Sequence, residues 1–199
     1  MATVSQSVLK LGEIASISSG LVVKRKQAID SNEVVNEYRM LTLKSFEQAG
    51  WLNTNEFEVF ESNEELDEKY LTKLGDVIVR LSSPYTAVVI DEENIGVLIP
   101  SLFVVIRMAI DNVLPGYLSI FLNSEIVKKI YAKCSIGSTI QVIKTSMLKD
   151  TTVIIKNTEE QRKIIELNSL ILKERILLER LREEKTKYHN AILTNIFQN

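Results

Sequence analysis

The segment from Thr158 to about Phe197 contains no glycine and no proline, and its apolar residues recur at spacings of three, four or seven. In a helix with 3.6 residues per turn, those spacings place the apolar side chains on one stripe. The stripe consists of Ile164, Leu167, Ile171, Leu178, Leu181, Tyr188 and Ile192, with Glu174 and Lys185 as its polar interruptions. Thr158-Glu159-Glu160-Gln161 predicts a capping box at the start. The pattern therefore predicts one long amphipathic helix.

A helix of this length is longer than one small domain can cover. About forty residues at a rise of 1.5 Å each give roughly 60 Å, whereas core helices usually have three or four turns. A second apolar set, Ile165, Leu172 and Ile176, lies off the stripe. The pattern favours a coiled-coil dimerisation helix at 158–199 after a separate domain at 1–157. The alternative is a helix folded back on its own domain.

Length and composition are those of a soluble globular chain. The 199 residues are 45% hydrophobic and 25% charged, which allows a substantial core in the domain before the helix. No apolar run approaches the roughly 18 residues of a membrane helix, and residues 1–12 lack the pattern of a signal peptide. The single Cys134 excludes an internal disulfide. We expect a cytoplasmic protein without a membrane partner.

Charge is distributed unevenly along the chain, although the net charge is only −2. A dense acidic run comprises Glu56, Glu58, Glu61, Glu64, Glu65, Asp67 and Glu68. Basic residues gather in Lys24-Arg25-Lys26 and in Lys128, Lys129, Lys133, Lys144, Lys149 and Lys156. If the basic segments share one face, they can follow a phosphate backbone while the acidic run faces solvent. The alternative, that these lysines are solvated and bind no partner, fits the charge pattern equally well.

Short apolar runs in the first domain predict strands and helices in alternation. The strands are expected at Tyr38–Leu43, Val77–Arg80, Ala87–Ile90 and Leu102–Arg107. A helix is expected from Gly116 to Tyr131, with apolar residues on one face. The sequence therefore predicts a mixed α/β or α+β domain followed by a helical arm.

Residue patterns typical of catalysis are missing from the sequence. The only histidine, His189, lies in the long helix, so neither a histidine acid–base pair nor a typical zinc site can be built. No Walker loop or GxGxxG motif follows a strand. Gly137-Ser138-Thr139 suggests an anion nest, but an ordinary turn is favoured. We predict no catalytic and no metal-ligating residues.

Several motifs in fixed order resemble the specificity (S) subunits of type I restriction-modification systems. They are Leu11-Gly12-Glu13-Ile14-Ala15 with Ser18-Ser19-Gly20, Gly75-Asp76-Val77-Ile78-Val79-Arg80 with Leu81-Ser82-Ser83-Pro84-Tyr85-Thr86, Pro100 to Arg107, Gly116 to Ser124, Gly137 to Ile143, and Glu160 to Ile165. One departure is that Lys156-Asn157-Thr158 replaces the prolines often found before Glu-Gln in this family. That departure leaves the first residue of the helix open.

The resemblance implies a target recognition domain on a spacer helix, which reads double-stranded DNA and holds methyltransferase (modification) subunits. Catalysis and S-adenosylmethionine then belong to the partner subunits, and this chain needs no cofactor. Whether a restriction subunit joins them is left open. The chain has room for one recognition domain where the family usually has two, so it resembles a half subunit. Two copies with antiparallel helices restore the whole and read a two-part inverted repeat.

Within this interpretation, hydroxyl and amide side chains are candidates for reading bases and cations for holding phosphates. The first group comprises Ser82, Ser83, Tyr85, Ser138, Thr139 and Gln141; the second comprises Lys24, Arg25, Arg80, Lys133 and Lys144. For each residue the simpler alternative is a hydroxyl group within a turn or a solvated cation without a role in binding.

Two other functions remain as alternatives. The first is an S-like interaction protein or remnant that dimerises and binds modification subunits without reading DNA. The second is a nuclease that depends on carboxylates and a divalent metal.

Overall fold

The computed structural model describes residues 7–134 and 142–198. The chain divides into two compact units, Met1–Arg162 and Lys163–Asn199. The strands are β1 (Ser7–Lys10), β2 (Ala15–Ser19), β3 (Asn36–Met40), β4 (Glu58–Ser62), β5 (Val77–Arg80), β6 (Ala87–Val89), β7 (Phe103–Met108) and β8 (Thr152–Ile155). The helices are α1 (Leu11–Ile14), α2 (Pro115–Leu122), α3 (Glu125–Cys134), α4 (Thr145–Asp150) and α5 (Thr158–Gln198). The first unit is thus a mixed α/β domain, and a long helix follows it.

The strands of the first unit pair antiparallel in three sheets. The central sheet has the order β2-β7-β5-β6, while β1 pairs with β8 and β3 pairs with β4. The inner strands β5 and β7 are buried along nearly their whole length because both are continuous apolar runs. On one side of the sheet, Phe46 stacks on Phe103 with ring centroids 4.5 Å apart. Helix α2 packs against β5 and β6.

A buried ion pair fixes the start of β5 to β7. The Asp76 carboxylate, 4% exposed, accepts hydrogen bonds from Arg107 Nε and Nη2, both at 2.9 Å. It also accepts one from the Lys73 backbone N–H at 2.9 Å. Gly75 precedes it with a φ of +79°, a left-handed conformation that glycine adopts without strain. The Gly75-Asp76 motif is therefore structural.

The predicted helix from Gly116 to Tyr131 is wrong as a single element, because it is two helices, α2 and α3, separated at Asn123 and Ser124. The Asn123 side chain explains the break. Its Oδ1 accepts from the Ala87 backbone N–H at 3.0 Å, and its Nδ2 donates to the Ala87 carbonyl at 2.6 Å. Asn123 thus bonds to both backbone groups of Ala87 at the beginning of β6, where Ser119 Oγ also donates to the Ala87 carbonyl at 3.0 Å.

The predicted capping box at Thr158 is also wrong, because Asn157 caps α5. Its Oδ1 accepts from the Glu160 backbone N–H at 2.9 Å. Gln161 is fully buried, and its Nε2 donates to the carbonyls of Asn112 at 2.8 Å and Lys156 at 2.7 Å. Its Oε1 accepts from the Leu114 backbone N–H at 2.8 Å. The Gln161 side chain therefore ties the first turn of α5 to the domain.

The rest of α5 is one uninterrupted helix through Gln198, as predicted. Six residues of the predicted stripe, from Leu167 to Ile192, are between 38% and 65% exposed in the single chain. None of the helices in the described ranges is long and apolar enough to cross a membrane. The second unit thus presents an apolar stripe that its own chain leaves largely uncovered.

Candidate nucleic-acid interface

Four loops meet at one end of the central sheet, where β2 and β5 end and β7 begins. The strand register places Ser19 beside Val104 and Arg80 beside Phe103. The surface that these loops form at this end is here termed the strand-end surface. It consists of residues 18–25, 80–86, 100–102 and 142–145.

Backbone hydrogen bonds hold the four loops in a fixed order. Leu21 N–H donates to the Ile99 carbonyl and Ser101 N–H donates to the Leu21 carbonyl, both at 2.7 Å. Leu81 N–H donates to the Leu102 carbonyl at 3.1 Å, and Ile143 N–H donates to the Leu81 carbonyl at 3.0 Å. The loop at 100–102 therefore lies between the loop after β2 and the loop after β5, and residues 142–143 lie beyond the latter.

A glycine makes this arrangement possible. A Cβ added to Gly20 would lie 2.3 Å from the carbonyl oxygens of both Ile99 and Pro100. Only a residue without a side chain allows the two backbones to approach so closely. Gly20, in the Ser18-Ser19-Gly20 motif, thereby sets the position of the Pro100 turn.

Four of the five predicted cations, Lys24, Arg25, Arg80 and Lys144, belong to the strand-end surface. Lys24 and Arg25 are exposed on a single 3₁₀ turn at Val23–Arg25. Lys144 is exposed and directly precedes Thr145, whose Oγ1 lies 3.4 Å from Ser19 Oγ. The fifth, Lys133, is exposed in the last turn of α3 and is not one of the residues that form this surface. The fold therefore brings basic residues from distant parts of the sequence toward one end of the sheet.

Arg80 has internal partners. Its Nε donates to Ser82 Oγ at 3.0 Å and its Nη1 donates to the Leu43 carbonyl at 3.1 Å. Burial lowers the pKa of the guanidinium, which still stays charged at neutral pH. Of its five N–H donors, one thus holds Ser82 and a second holds the segment at Leu43.

In the turn at Ser82–Tyr85 the two serines are at least partly exposed, whereas the tyrosine is buried. Tyr85 N–H donates to the Ser82 carbonyl at 2.9 Å, and the Ser83–Pro84 peptide is cis. Ser83 is exposed and Ser82 is half-buried. The Tyr85 side chain is 3% exposed, and its ring meets the Tyr131 ring edge-on with centroids 6.0 Å apart. In this conformation Tyr85 contributes to the core and does not present its ring to a duplex.

Three predicted base-reading residues, Ser138, Thr139 and Gln141, lie outside the described residues. Val142, the next described residue, forms a bridge with Ser82. The end of the predicted Gly137–Gln141 loop is thus adjacent in the chain to a segment on the strand-end surface.

Sequence reasoning missed one residue at this surface. The sequence predicts Leu102 as the first residue of a strand, but β7 begins at Phe103 and Leu102 lies in the preceding turn, 52% exposed. It borders a groove of about 300 Å³ that Val23 and Leu43 also line. The sequence signal for this turn is Pro100-Ser101, a pair of residues typical of turns that immediately precedes Leu102.

The acidic run lies mainly at the exposed edge formed by β4 and the loop after it. Glu64 pairs with Lys26 at 2.7 Å, and Glu68 pairs with Lys73 at 2.9 Å. In the ranges that the structure describes, no three His, Cys, Asp or Glu side chains converge as metal ligands would. Three carboxylates of the run, Glu64, Asp67 and Glu68, thus form surface ion pairs with lysines.

The family model for the type I restriction modification DNA specificity domain matches residues 5–185 of the sequence. The match extends over most of both units. The chain belongs to this family. Among curated proteins, none matches the sequence.

Solved structures share the fold of this specificity domain. The HsdS subunit from Thermoanaerobacter tengcongensis is similar with a TM-score of 0.65 and 16% identity, covering 92% of this chain and 46% of its own. A chain from a study of complex assembly and conformational transition in the type I R-M system has a TM-score of 0.62 and 16% identity, covering 93% and 43%. The type I restriction-modification S subunit from M. genitalium has a TM-score of 0.54 and 11% identity, covering 87% and 40%. This specificity domain spans less than half of each of these chains.

Proposed function

We propose that this specificity domain reads DNA for a type I restriction-modification complex through its strand-end surface. The observation that carries the proposal is the convergence of Lys24, Arg25 and Lys144 with the exposed Ser83 at one end of a rigid sheet. Cations and hydroxyls on a fixed framework supply the two kinds of contact that sequence-specific binding requires.

The two kinds of contact fall to different residues. Lys24, Arg25, Lys133 and Lys144 hold phosphates, because charged side chains that are exposed reach a duplex without rearranging the fold. Ser82 and Ser83 read base edges, and Ser138, Thr139 and Gln141 join them. Arg80 holds the Ser82 turn and directs its remaining N–H donors toward the DNA backbone.

The proposed complex has further members. The stripe on α5 pairs with a second copy, and the resulting homodimer reads two half-sites as an inverted repeat. Methyltransferase subunits dock on the dimer and bring S-adenosylmethionine, so that methylation occurs only when they are present. This chain is the non-catalytic, cytoplasmic member, and a restriction subunit joins the same assembly where the system has one.

Salt-dependent binding to duplex DNA tests the strand-end surface. Lys144→Ala and Arg25→Ala are each expected to lower the magnitude of the slope of log K against log salt by about one, because each neutralised phosphate releases about 0.9 counterion. Lys73→Ala is the matched control. Lys73 is an exposed lysine that precedes β5 at the opposite end from Arg80, and it pairs with Glu68.

A cognate site selected from random sequences separates base reading from phosphate binding. Gln141→Ala is expected to cost about 1–3 kcal/mol on the cognate duplex and little on random DNA. An equal loss for Lys73→Ala and Lys144→Ala would contradict the assignment of phosphate binding to this surface. A dimer that binds methyltransferase subunits but no DNA would instead favour the interaction protein.

A further inference from the structure

Helix α5 carries two charges within its apolar stripe. In a heptad register, Ile164, Ile171, Leu178 and Ile192 occupy the a positions, while Leu167, Leu181 and Tyr188 occupy the d positions. Glu174 falls at d and Lys185 falls at a. A seam that pairs two such helices therefore has to accommodate both charged side chains.

Some charged residues of α5 are paired within the helix, but Glu174 and Lys185 are not among them. Glu179 pairs with Arg182, and Glu184 pairs with Lys187 at 2.7 Å, all on α5. In the described part of the chain, neither Glu174 nor Lys185 forms an ion pair. Both are exposed in the single chain. Buried in a seam without partners, each would be strongly unfavourable.

We propose that Glu174 and Lys185 set the register of an antiparallel homodimer by pairing with each other between the two copies. This inference rests on the proposed homodimer and specifies its geometry. The two-fold axis passes between Glu179 and Arg180. Three apolar pairs then meet, namely Leu178 opposite Leu181, Ile171 opposite Tyr188, and Leu167 opposite Ile192, while Ile164 faces Asn195. In the same register Glu174 of each copy faces Lys185 of the other.

Other arrangements leave the charges unmatched. An antiparallel pair displaced by one heptad places Glu174 opposite Leu178 or Ile192 of the second copy, and Lys185 opposite Leu167 or Leu181. A parallel pair places Glu174 opposite Glu174 and Lys185 opposite Lys185, which is repulsive. A polar residue at a core position fixes the register of a coiled coil in this way, by penalising every alternative.

Charge reversal in the full chain tests the register through the dimer dissociation constant, measured by sedimentation. Glu174→Lys and Lys185→Glu are each expected to weaken the dimer by about tenfold or more, because each creates two like-charge contacts in the seam. The double variant restores both pairs with opposite polarity, so it is expected to return to within about threefold of the original constant. Glu183→Lys, at an f position outside the seam, is the matched control and is expected to change little.

A second measurement needs no variant. A zero-length carbodiimide cross-linker is expected to join Glu174 to Lys185 between copies, which a mixture of isotope-labelled and unlabelled protein identifies by mass spectrometry. Helix content by circular dichroism confirms that each variant is folded. A single chain that stays monomeric at all concentrations overturns the homodimer and this register together. A dimer in which the single reversals are harmless, or in which the double variant fails to recover, overturns the register alone.

Discussion

The close approach at Gly20 leads to a quantitative prediction for Gly20→Ala. The added Cβ would meet the carbonyl oxygens of Ile99 and Pro100 at 2.3 Å, so both must move. These oxygens accept hydrogen bonds from Leu21 N–H at 2.7 Å and from Phe103 N–H at 3.0 Å. Losing them costs about 1 kcal/mol each, and overpacking adds about 1–3 kcal/mol. The smaller entropy of the unfolded alanine chain offsets about 0.5 kcal/mol.

We therefore expect Gly20→Ala to lower the free energy of unfolding by about 3 kcal/mol. This free energy is measured by unfolding the protein in urea and monitoring the fluorescence of Trp51, the only tryptophan. Gly12→Ala is the matched control. Its Cβ would lie 3.1 Å from Lys149 Cβ and 3.3 Å from the Lys149 carbonyl oxygen, so the neighbouring atoms need to move by only a few tenths of an ångström and the expected loss is smaller than for Gly20→Ala. Equal stability of Gly20→Ala and the original chain would refute the close backbone approach on which the strand-end surface is built.

Two further predictions concern buried polar side chains. Gln161→Ala leaves the carbonyls of Asn112 and Lys156 and the N–H of Leu114 without their present partner, and we expect a loss on the order of 3 kcal/mol in urea unfolding. Asn157→Ala, which removes only the cap of α5, is expected to cost about 1 kcal/mol; equal losses would argue against the anchoring role of Gln161. Burial raises the pKa of Tyr131 to about 12 from 10.0, so the native state keeps a proton that the unfolded chain loses. This contribution to stability is fully present below about pH 10 and is lost as pH rises toward about 12; Tyr131→Phe should flatten that part of the pH dependence, and an unchanged profile would contradict the shift.

The features that sequence predicted well are those encoded by neighbouring residues. The runs Val77–Arg80 and Phe103–Met108 are strands because their apolar residues are contiguous, as a doubly buried strand requires. Helix α5 is continuous because no glycine or proline interrupts it. In both elements the local pattern and the tertiary environment favour the same structure.

The features that sequence missed depend on partners far along the chain. Gln161 fits a capping box locally, but its amide is recruited by backbone groups at Asn112 and Leu114. Asn123 ends a helix because it bonds to Ala87, and Tyr85 turns inward because Tyr131 packs against it. No spacing rule encodes these contacts, since each joins segments that only the finished fold brings together.

The framework of the strand-end surface and its exposed side chains depend on different chemistry. The loops are held by backbone groups of Leu21, Leu81, Ser101 and Ile143, and these bonds form whatever side chains those positions carry. By contrast, the exposed side chain of Ser83 makes no contact that the fold requires within the described residues. A substitution at Ser83 is therefore expected to cost little stability, whereas a change at Gly20 displaces the backbone of the loops themselves. Under the proposed function, this division would allow the exposed contacts to change while the fold is retained.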